Sequence, residues 1–281
     1  MINEIRKRAM EISPLCVGID LRKEQVPRII TEGQFKPHEH FVSYAKAIVD
    51  YTSEYAACYK VQIACYEVYG TEGLKAYSEI LSYIRKKGHK VIADIKRSDI
   101  GSTAELYAKA HMSGDFESDA VTLNAYMGED SVSPYYPYLE TGKAAFLLAK
   151  TSNPGSKDFE DLILNSGVTL YQNVLKKIYE WGRNLKSDGE FSQLAAVVGV
   201  NHLSNLKNVK PLTDKLFLLV PGYGAQGAKA EDIKYLLCEQ RNGIVNVSRG
   251  ITAGLQDTSD FEKALKMRAA KTAEELKICF A

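Results

Sequence analysis

The sequence predicts an α/β fold, a (β/α)8 TIM barrel formed by a single domain over residues 1–281, and three observations lead to it. Eight short segments rich in apolar, β-forming residues recur along the chain. Several of these segments are continuously apolar, as parallel strands covered on both faces are. Helical patterns separate them, and strand–helix alternation repeated eight times is typical of this barrel.

The predicted strands are distributed over the whole chain. They cover Leu15–Asp20, Ala57–Gln62, Lys90–Lys96, Ala120–Asn124, Ala144–Lys150, Leu194–Gly199, Leu216–Val220 and Ile244–Ser248. Between strands, four apolar stripes recur at helical spacing. They run from Phe41 to Tyr55, from Leu74 to Ile84, from Leu170 to Trp181 and from Ile233 to Leu237. The polar segment Leu21–His40 predicts a long first connection that carries a short helix or acts as a flap.

The composition argues against several classes of protein. The net charge is +1, from 36 basic and 35 acidic residues, which argues against a nucleic-acid or membrane-surface partner. The chain contains no run of 18 apolar residues, and residues 1–13 lack the apolar core of a signal peptide. None of the five cysteines forms a CxxC pair, which argues against a zinc site or a disulfide framework. We therefore expect a cytoplasmic protein.

Charged residues of both signs follow the third predicted strand, at the barrel end where chemistry belongs. Asp94 and Lys96 share a face of the strand, with about 6.6 Å between their Cα atoms, and Asp99 follows in the turn. Lys60 lies in the mostly apolar second strand and needs a carboxylate, which we expect Asp94 to supply, because isolated buried charges are costly. These spacings predict an alternating Lys–Asp–Lys–Asp array, which is either a structural ion-pair cluster or a catalytic one.

The loops after the last two strands predict a phosphate site. The glycine-rich run Pro221–Gly227 follows the seventh strand, and Arg249 follows the eighth. Glycines let backbone N–H groups approach phosphate oxygens, Gln226 offers a side-chain amide, and arginine forms bidentate pairs with phosphate. Taken alone, the loop is better explained as a tight turn, with Arg249 as a surface arginine, but the coincidence of the two loops reverses that preference and favours phosphate binding.

The segment Ala93–Thr103 closely resembles the signature of the orotidine 5′-phosphate decarboxylase family, in its longer bacterial-type branch. The resemblance spans nearly the whole chain, and its motifs occur in the family's order. They are Val17–Asp20, Lys60, Lys150–Gly155, Val220–Gly227 and Arg249-Gly250. Ser248 departs from the pattern, since many relatives carry glycine before the arginine.

The resemblance implies a carbon–carbon lyase that converts orotidine 5′-monophosphate to uridine 5′-monophosphate and CO2, the last step of de novo UMP biosynthesis. It implies no metal and no organic cofactor. The implied catalytic residues are Lys60, Asp94, Lys96 and Asp99, with Lys96 as proton donor to C6. The implied substrate-binding residues are Asp20, Ile100, Thr103, Ser152, Pro221, Gln226, Gly227, Ser248 and Arg249. In the implied homodimer, Asp99, Ile100 and Thr103 enter the partner's site.

Two other functions compete with this interpretation. A Mg²⁺-dependent sugar-phosphate decarboxylase or hexulose-phosphate synthase shares the Asp-x-Lys-x-x-Asp strand, but it needs a carboxylate near the end of strand two, where this chain has Lys60. A non-catalytic nucleotide-binding barrel is the second alternative. Binding alone does not require a lysine between two aspartates, so the charged array argues against it.

Overall fold

The predicted barrel is confirmed by the computed structural model, which describes residues 1–31, 33–185, 187, 189–200, 206–224, 230–237 and 239–281. Eight parallel strands follow one another in chain order, and the barrel closes where the first pairs with the eighth. The strands are β1 (Leu15–Gly18), β2 (Cys58–Gln62), β3 (Val91–Arg97), β4 (Ala120–Asn124), β5 (Ala144–Lys150), β6 (Leu194–Val198), β7 (Leu218–Val220) and β8 (Gly243–Val247). Each corresponds to a predicted segment.

Helices connect the strands and cover the outside of the barrel. They are α1 (Ile2–Glu11), α2 (Pro37–Thr52), α3 (Ala64–Glu67), α4 (Gly70–Lys86), α5 (Gly101–Met112), α6 (Tyr136–Leu139), α7 (Leu170–Gly182), α8 (Leu206–Thr213), α9 (Ala230–Leu237), α10 (Arg249–Thr252) and α11 (Phe261–Lys277). The four predicted stripes fall on α2, α4, α7 and α9. In the described part of the chain, no helix is long and apolar enough to cross a membrane.

The polar connection after β1 contains the short helix that its sequence predicted. A 3-10 helix covers Lys23–Gln25, and α2 begins at Pro37. Proline suits that first position because its fixed φ matches a helix and its missing N–H would have no partner there. Residue 32 lies outside the described residues, and the flap role remains a prediction.

The alternation of strand β2 places a polar and an aromatic side chain on opposite faces. Tyr59 points outward, where its hydroxyl donates to the backbone oxygen of Val49 at 3.1 Å and lies 3.1 Å from Thr52 Oγ1, both on α2. Successive strand residues alternate in direction, so Lys60 points into the barrel. The same packing that fixes α2 against β2 therefore fixes the direction of Lys60.

Candidate active site

A chain of four alternating charges lies at the C-terminal end of the barrel. Lys60 Nζ donates to Asp94 Oδ2 at 2.9 Å and to Asp20 Oδ1 at 3.0 Å. Lys96 Nζ donates to Asp94 Oδ1 at 2.6 Å. The pairing of Lys60 with Asp94 expected from the sequence is thus confirmed. The order in space is Asp20–Lys60–Asp94–Lys96.

Asp94 is the most fully bonded group of this cluster. Besides the two lysines, Gln62 Nε2 donates to its Oδ2 at 3.0 Å, and the Thr122 hydroxyl donates to its Oδ1 at 2.8 Å. Burial disfavours the charged form, but the Lys60 and Lys96 ammonium groups hold the pKa of Asp94 well below its usual range. Burial likewise opposes the charge on Lys60, yet Asp20 and Asp94 raise its pKa above the usual range. Both groups are therefore fixed in their charged forms.

A bulge at the end of β3 sets the position of Lys96. Between the pairs Ala93↔Val121 and Arg97↔Leu123, β3 advances further along the chain than β4. Lys96 lies within this stretch with φ of +46°, a left-handed conformation that costs about 1–3 kcal/mol in a non-glycine residue. Its N–H donates to Thr122 Oγ1 at 3.0 Å. The bulge thus leaves the Lys96 side chain 47% exposed at the barrel mouth, beside buried Asp94.

A polar cavity of about 390 Å³ adjoins the cluster. Asp20 belongs to both, since it lines the cavity and accepts from Lys60. Two arginines, Arg22 and Arg249, also line it and make it suited to an anion. The remaining lining residues are Gln25, Cys65, Pro221, Gly222, Tyr223, Asn246 and Ser248.

The close approach of β1 and the residue after β8 shapes this cavity. A Cβ added at Gly18 would lie 2.7 Å from the Cβ of Ser248 and 3.3 Å from its Cα. Only glycine therefore lets Ser248, and with it the neighbouring Arg249, sit so close to β1. The structure brings together the predicted residues Pro221, Ser248 and Arg249, whereas Gln226 and Gly227 lie outside the described residues.

The predicted array does not continue from Lys96 to Asp99 within this chain. The Asp99 carboxylate accepts from the Ile100 N–H at 2.8 Å and forms no ion pair with a residue that the structure describes. Ile100 is 51% exposed, and Thr103 is exposed in the first turn of α5. All three residues follow β3 at the same barrel end. Asp20 extends the charged chain at its other end, beside Lys60, so the position beside Lys96 that was expected for Asp99 is not filled by Asp20.

Ser152 lies beyond the cavity, in the loop that follows β5. A Cβ added at Gly199 would lie 3.1 Å from both the backbone nitrogen and the Cβ of Ser152. Ser152 therefore packs closely against the end of β6, and it is partly buried. Among the described residues it does not join the charged cluster.

Sequence reasoning missed two contributors to the cluster. Gln62 and Thr122 both bond Asp94. Strand alternation could have identified both residues. Gln62 lies two residues after Lys60, and Thr122 lies two residues before Asn124, so each points to the inside of the barrel as that neighbour does. Arg22 was missed because it lies in a connection that shows no periodic pattern.

The described side chains of this site are not arranged as ligands of a divalent cation. Among the residues that the structure describes, no three histidine, cysteine, aspartate or glutamate side chains are grouped as metal ligands would be. The carboxylates of Asp20 and Asp94 instead receive the Lys60 ammonium. A divalent cation between them would face that positive charge directly. The absence of a cofactor remains a prediction.

Fold and site together define a (β/α)8 barrel that carries its polar groups at the carboxyl ends of its strands, as barrel enzymes do. Residues 13–264 match the model of the Orotidine 5'-phosphate decarboxylase / HUMPS family. The chain belongs to this family.

Relatives of known name agree with that assignment. An orotidine 5'-phosphate decarboxylase of Clostridium tetani is 39% identical over 261 residues, which cover 92% of this chain and 91% of the relative. One of Clostridium acetobutylicum is 42% identical over 250 residues, covering 89% and 87%.

Solved structures show the same likeness. A putative orotidine 5'-phosphate decarboxylase from Streptomyces avermitilis superposes with a TM-score of 0.84 at 29% identity, covering 99% of this chain and 95% of that one. An orotidine 5'-monophosphate decarboxylase from Methanocaldococcus jannaschii, solved in complex with the inhibitor BMP, gives a TM-score of 0.62 at 25% identity, covering 93% and 97%.

Proposed function

We propose that this protein removes CO2 from orotidine 5'-monophosphate to give uridine 5'-monophosphate, the last step of de novo UMP biosynthesis. One observation carries the proposal: the charged chain from Asp20 to Lys96 lies beside a cavity lined by two arginines. The family and the named relatives support the same reaction.

The cavity and the cluster offer complementary parts of a nucleotide site. Arg249, with Gln226 and Gly227 of the preceding loop, binds the phosphate, and Ser248 and Pro221 complete that side. Asp20 and Lys60 bind ribose hydroxyls, because they lie between the cavity and Asp94. The pyrimidine then lies over Asp94 and Lys96, and Ser152 bonds its polar edge.

The chemistry follows from the placement of charge. When the bond from C6 to the carboxylate breaks, its electron pair stays on C6 as a carbanion that the ring delocalises poorly. The Lys96 ammonium stabilises that charge and then donates its proton to C6. Because the lysine is already held at 2.6 Å by Asp94, little reorganisation is needed during the reaction.

Asp94 adds a repulsive contribution in the bound substrate. Its carboxylate is kept ionised and would face the substrate carboxylate. Two like charges about 4 Å apart repel by about 4 kcal/mol at an effective dielectric of about 20. This repulsion disappears as neutral CO2 forms, so it favours the forward step.

The proposed enzyme is a homodimer in which Asp99, Ile100 and Thr103 reach the partner's site. Two features support this arrangement. Ile100 exposes an apolar side chain at the barrel mouth, and Asp99 has no cationic partner among the described residues of its own chain. A carboxylate from the partner would place Lys96 between two aspartates.

We also propose that the protein works in the cytoplasm. Cys16 and Cys58 are register partners on β1 and β2, and both are buried free thiols. Buried cysteines that form no disulfide fit a reducing compartment.

A direct assay separates this proposal from the competing function, a Mg²⁺-dependent sugar-phosphate decarboxylase or hexulose-phosphate synthase. The purified protein is mixed with orotidine 5'-monophosphate, and UMP is measured by chromatography with and without EDTA. We expect UMP in equal yield under both conditions, because Lys60 occupies the place where a cation-binding carboxylate would be needed. Loss of turnover in EDTA, or no UMP at all, would contradict the proposal.

A further inference from the structure

Lys150, the last residue of β5, is a fully buried cation that the mechanism above does not use. Its side chain is 0% exposed. Its Nζ lies 2.7 Å from Asp161 Oδ1 and 3.4 Å from Glu160 Oε2, and 5.3 Å from the centre of the Tyr171 ring. A buried ammonium requires such partners, because its desolvation is expensive. Both carboxylates come from the loop that follows β5.

Glu160 also ties this loop to its own beginning. Its Oε2 accepts from the Thr151 N–H at 3.0 Å, and its Oε1 accepts from the Thr151 hydroxyl at 2.6 Å. The backbone oxygen of Glu160 accepts from the Tyr171 N–H at 3.0 Å, at the start of α7. The chain therefore leaves β5 at residue 151 and returns to the same point at residues 160–161.

Ser152 is the first residue of the closed segment 152–159. On one side it follows Thr151, which Glu160 holds by two hydrogen bonds. On the other side it packs against Gly199, whose N–H donates to the Lys150 backbone oxygen at 2.8 Å. Thr151 and Gly199 thus fix the backbone of Ser152, and both are linked to Lys150.

We propose that Lys150, Glu160 and Asp161 form an ion-pair anchor that holds Ser152 where it contacts the substrate's pyrimidine. This inference rests on the proposed function for the role of Ser152. Lys150 is a positioning residue, since it acts through the loop and touches no substrate.

Hydrogen exchange tests the anchor without any assay of activity. Lys150→Met keeps the length of the side chain and removes its charge. Lys157→Met is the matched control, because Lys157 is exposed in the same loop. We expect amides of residues 151–162 to exchange at least about tenfold faster in Lys150→Met, with the strands unchanged. The control should exchange like the parent.

A second pair of variants tests the anchor independently, in case Lys150→Met does not fold. Asp161→Asn removes one of the two carboxylates that pair with Lys150. The Asp161 side chain is 33% exposed, whereas that of Lys150 is fully buried. Asp158→Asn, at an exposed position of the same loop, is its control. Asp161→Asn should raise exchange over residues 151–162, and Asp158→Asn should not. Unchanged exchange in that segment, or a uniform rise over the barrel, would overturn the anchor.

A double-mutant cycle, measured in kcat/KM, tests whether the anchor acts through Ser152. Lys150→Met and Ser152→Ala should each lower kcat/KM by about tenfold or more, as loss of a hydrogen bond in the transition state does. The double variant should lose little beyond the worse single variant, because both changes remove one contact. Losses that multiply would overturn the positioning role. If the parent forms no UMP, the proposed function fails, and the exchange experiment still decides the anchor.

Discussion

Asp94 is the residue on which the charged cluster depends. It accepts hydrogen bonds from four side chains, those of Lys60, Gln62, Lys96 and Thr122. Two of the donors are ammonium groups, and Lys60 is buried with it. Neutralising Asp94 would therefore leave a buried cation with Asp20 alone.

Asp94→Asn should lower the free energy of unfolding by about 3 kcal/mol, as removal of one partner from a buried ion pair does. Chemical denaturation at neutral pH measures it. Asp130→Asn, at an exposed position, is the control and should change stability by less than about 0.5 kcal/mol.

The lowered pKa of Asp94 predicts how the stability of the fold changes with pH. The pKa of Asp94 is lowered in the folded protein, so its contribution is complete above the unfolded-state pKa of about 3.9 and is lost as the pH falls below that value. The difference in stability between the parent and Asp94→Asn should therefore shrink below about pH 4. A difference that stays constant down to pH 2 would contradict the depressed pKa.

The ends of the strands carry the charged residues of the site, so the pairing of strands determines which of these residues meet. The strand pattern predicted all eight strands, since continuous apolar runs and two-residue alternation are properties of the sequence itself. The bulge of β3 at Lys96 was not predictable, because the left-handed φ of a lysine leaves no compositional signal. The link between Asp20 and Lys60 depends on how β1 and β2 pair in the closed barrel, which local pattern does not reveal.

Gly18 provides a prediction about one such strand end. In Gly18→Ala, the new Cβ would meet Ser248, and relieving the clash should displace Ser248 and Arg249. We expect the Kd for UMP to rise about tenfold and stability to fall by about 1–3 kcal/mol, as overpacking does. Gly155→Ala is the control, because its nearest new contact is an ordinary 3.5 Å. Calorimetric titration with UMP measures the affinity, and unchanged binding would contradict the proposed phosphate side.

At the scale of the whole molecule, one chain supplies an incomplete set of the residues expected in the site. Asp20, Lys60, Asp94 and Lys96 meet within the chain, whereas Asp99 remains apart. The sequence identified these residues by their positions at strand ends. It could not show which of them meet within a chain, because that depends on the path of the loop after β3 and, in the proposed homodimer, on the partner.

Complementation between inactive variants tests the shared site. Lys60→Ala and Asp99→Ala should each be inactive, and mixing them under conditions of subunit exchange should restore activity. In a mixed dimer, one of the two sites combines Lys60 of the Asp99→Ala chain with Asp99 of the Lys60→Ala chain. That site lacks neither residue. A mixture of Lys60→Ala with Lys96→Ala is the control and should stay inactive, because both residues serve the site of their own chain. Exchange without recovery in the first mixture would refute the shared site.

In the proposed reaction, Lys96, held against Asp94, supplies the proton that replaces CO2 at C6. This role is tested by single-turnover formation of UMP by Lys96→Ala, with enzyme in excess over orotidine 5'-monophosphate. We expect the rate to fall by at least about 10³-fold, within the range for loss of a general acid, while Lys109→Ala on the exposed face of α5 reacts like the parent. UMP formation by Lys96→Ala at a rate near that of the parent would show that Lys96 is not the proton donor.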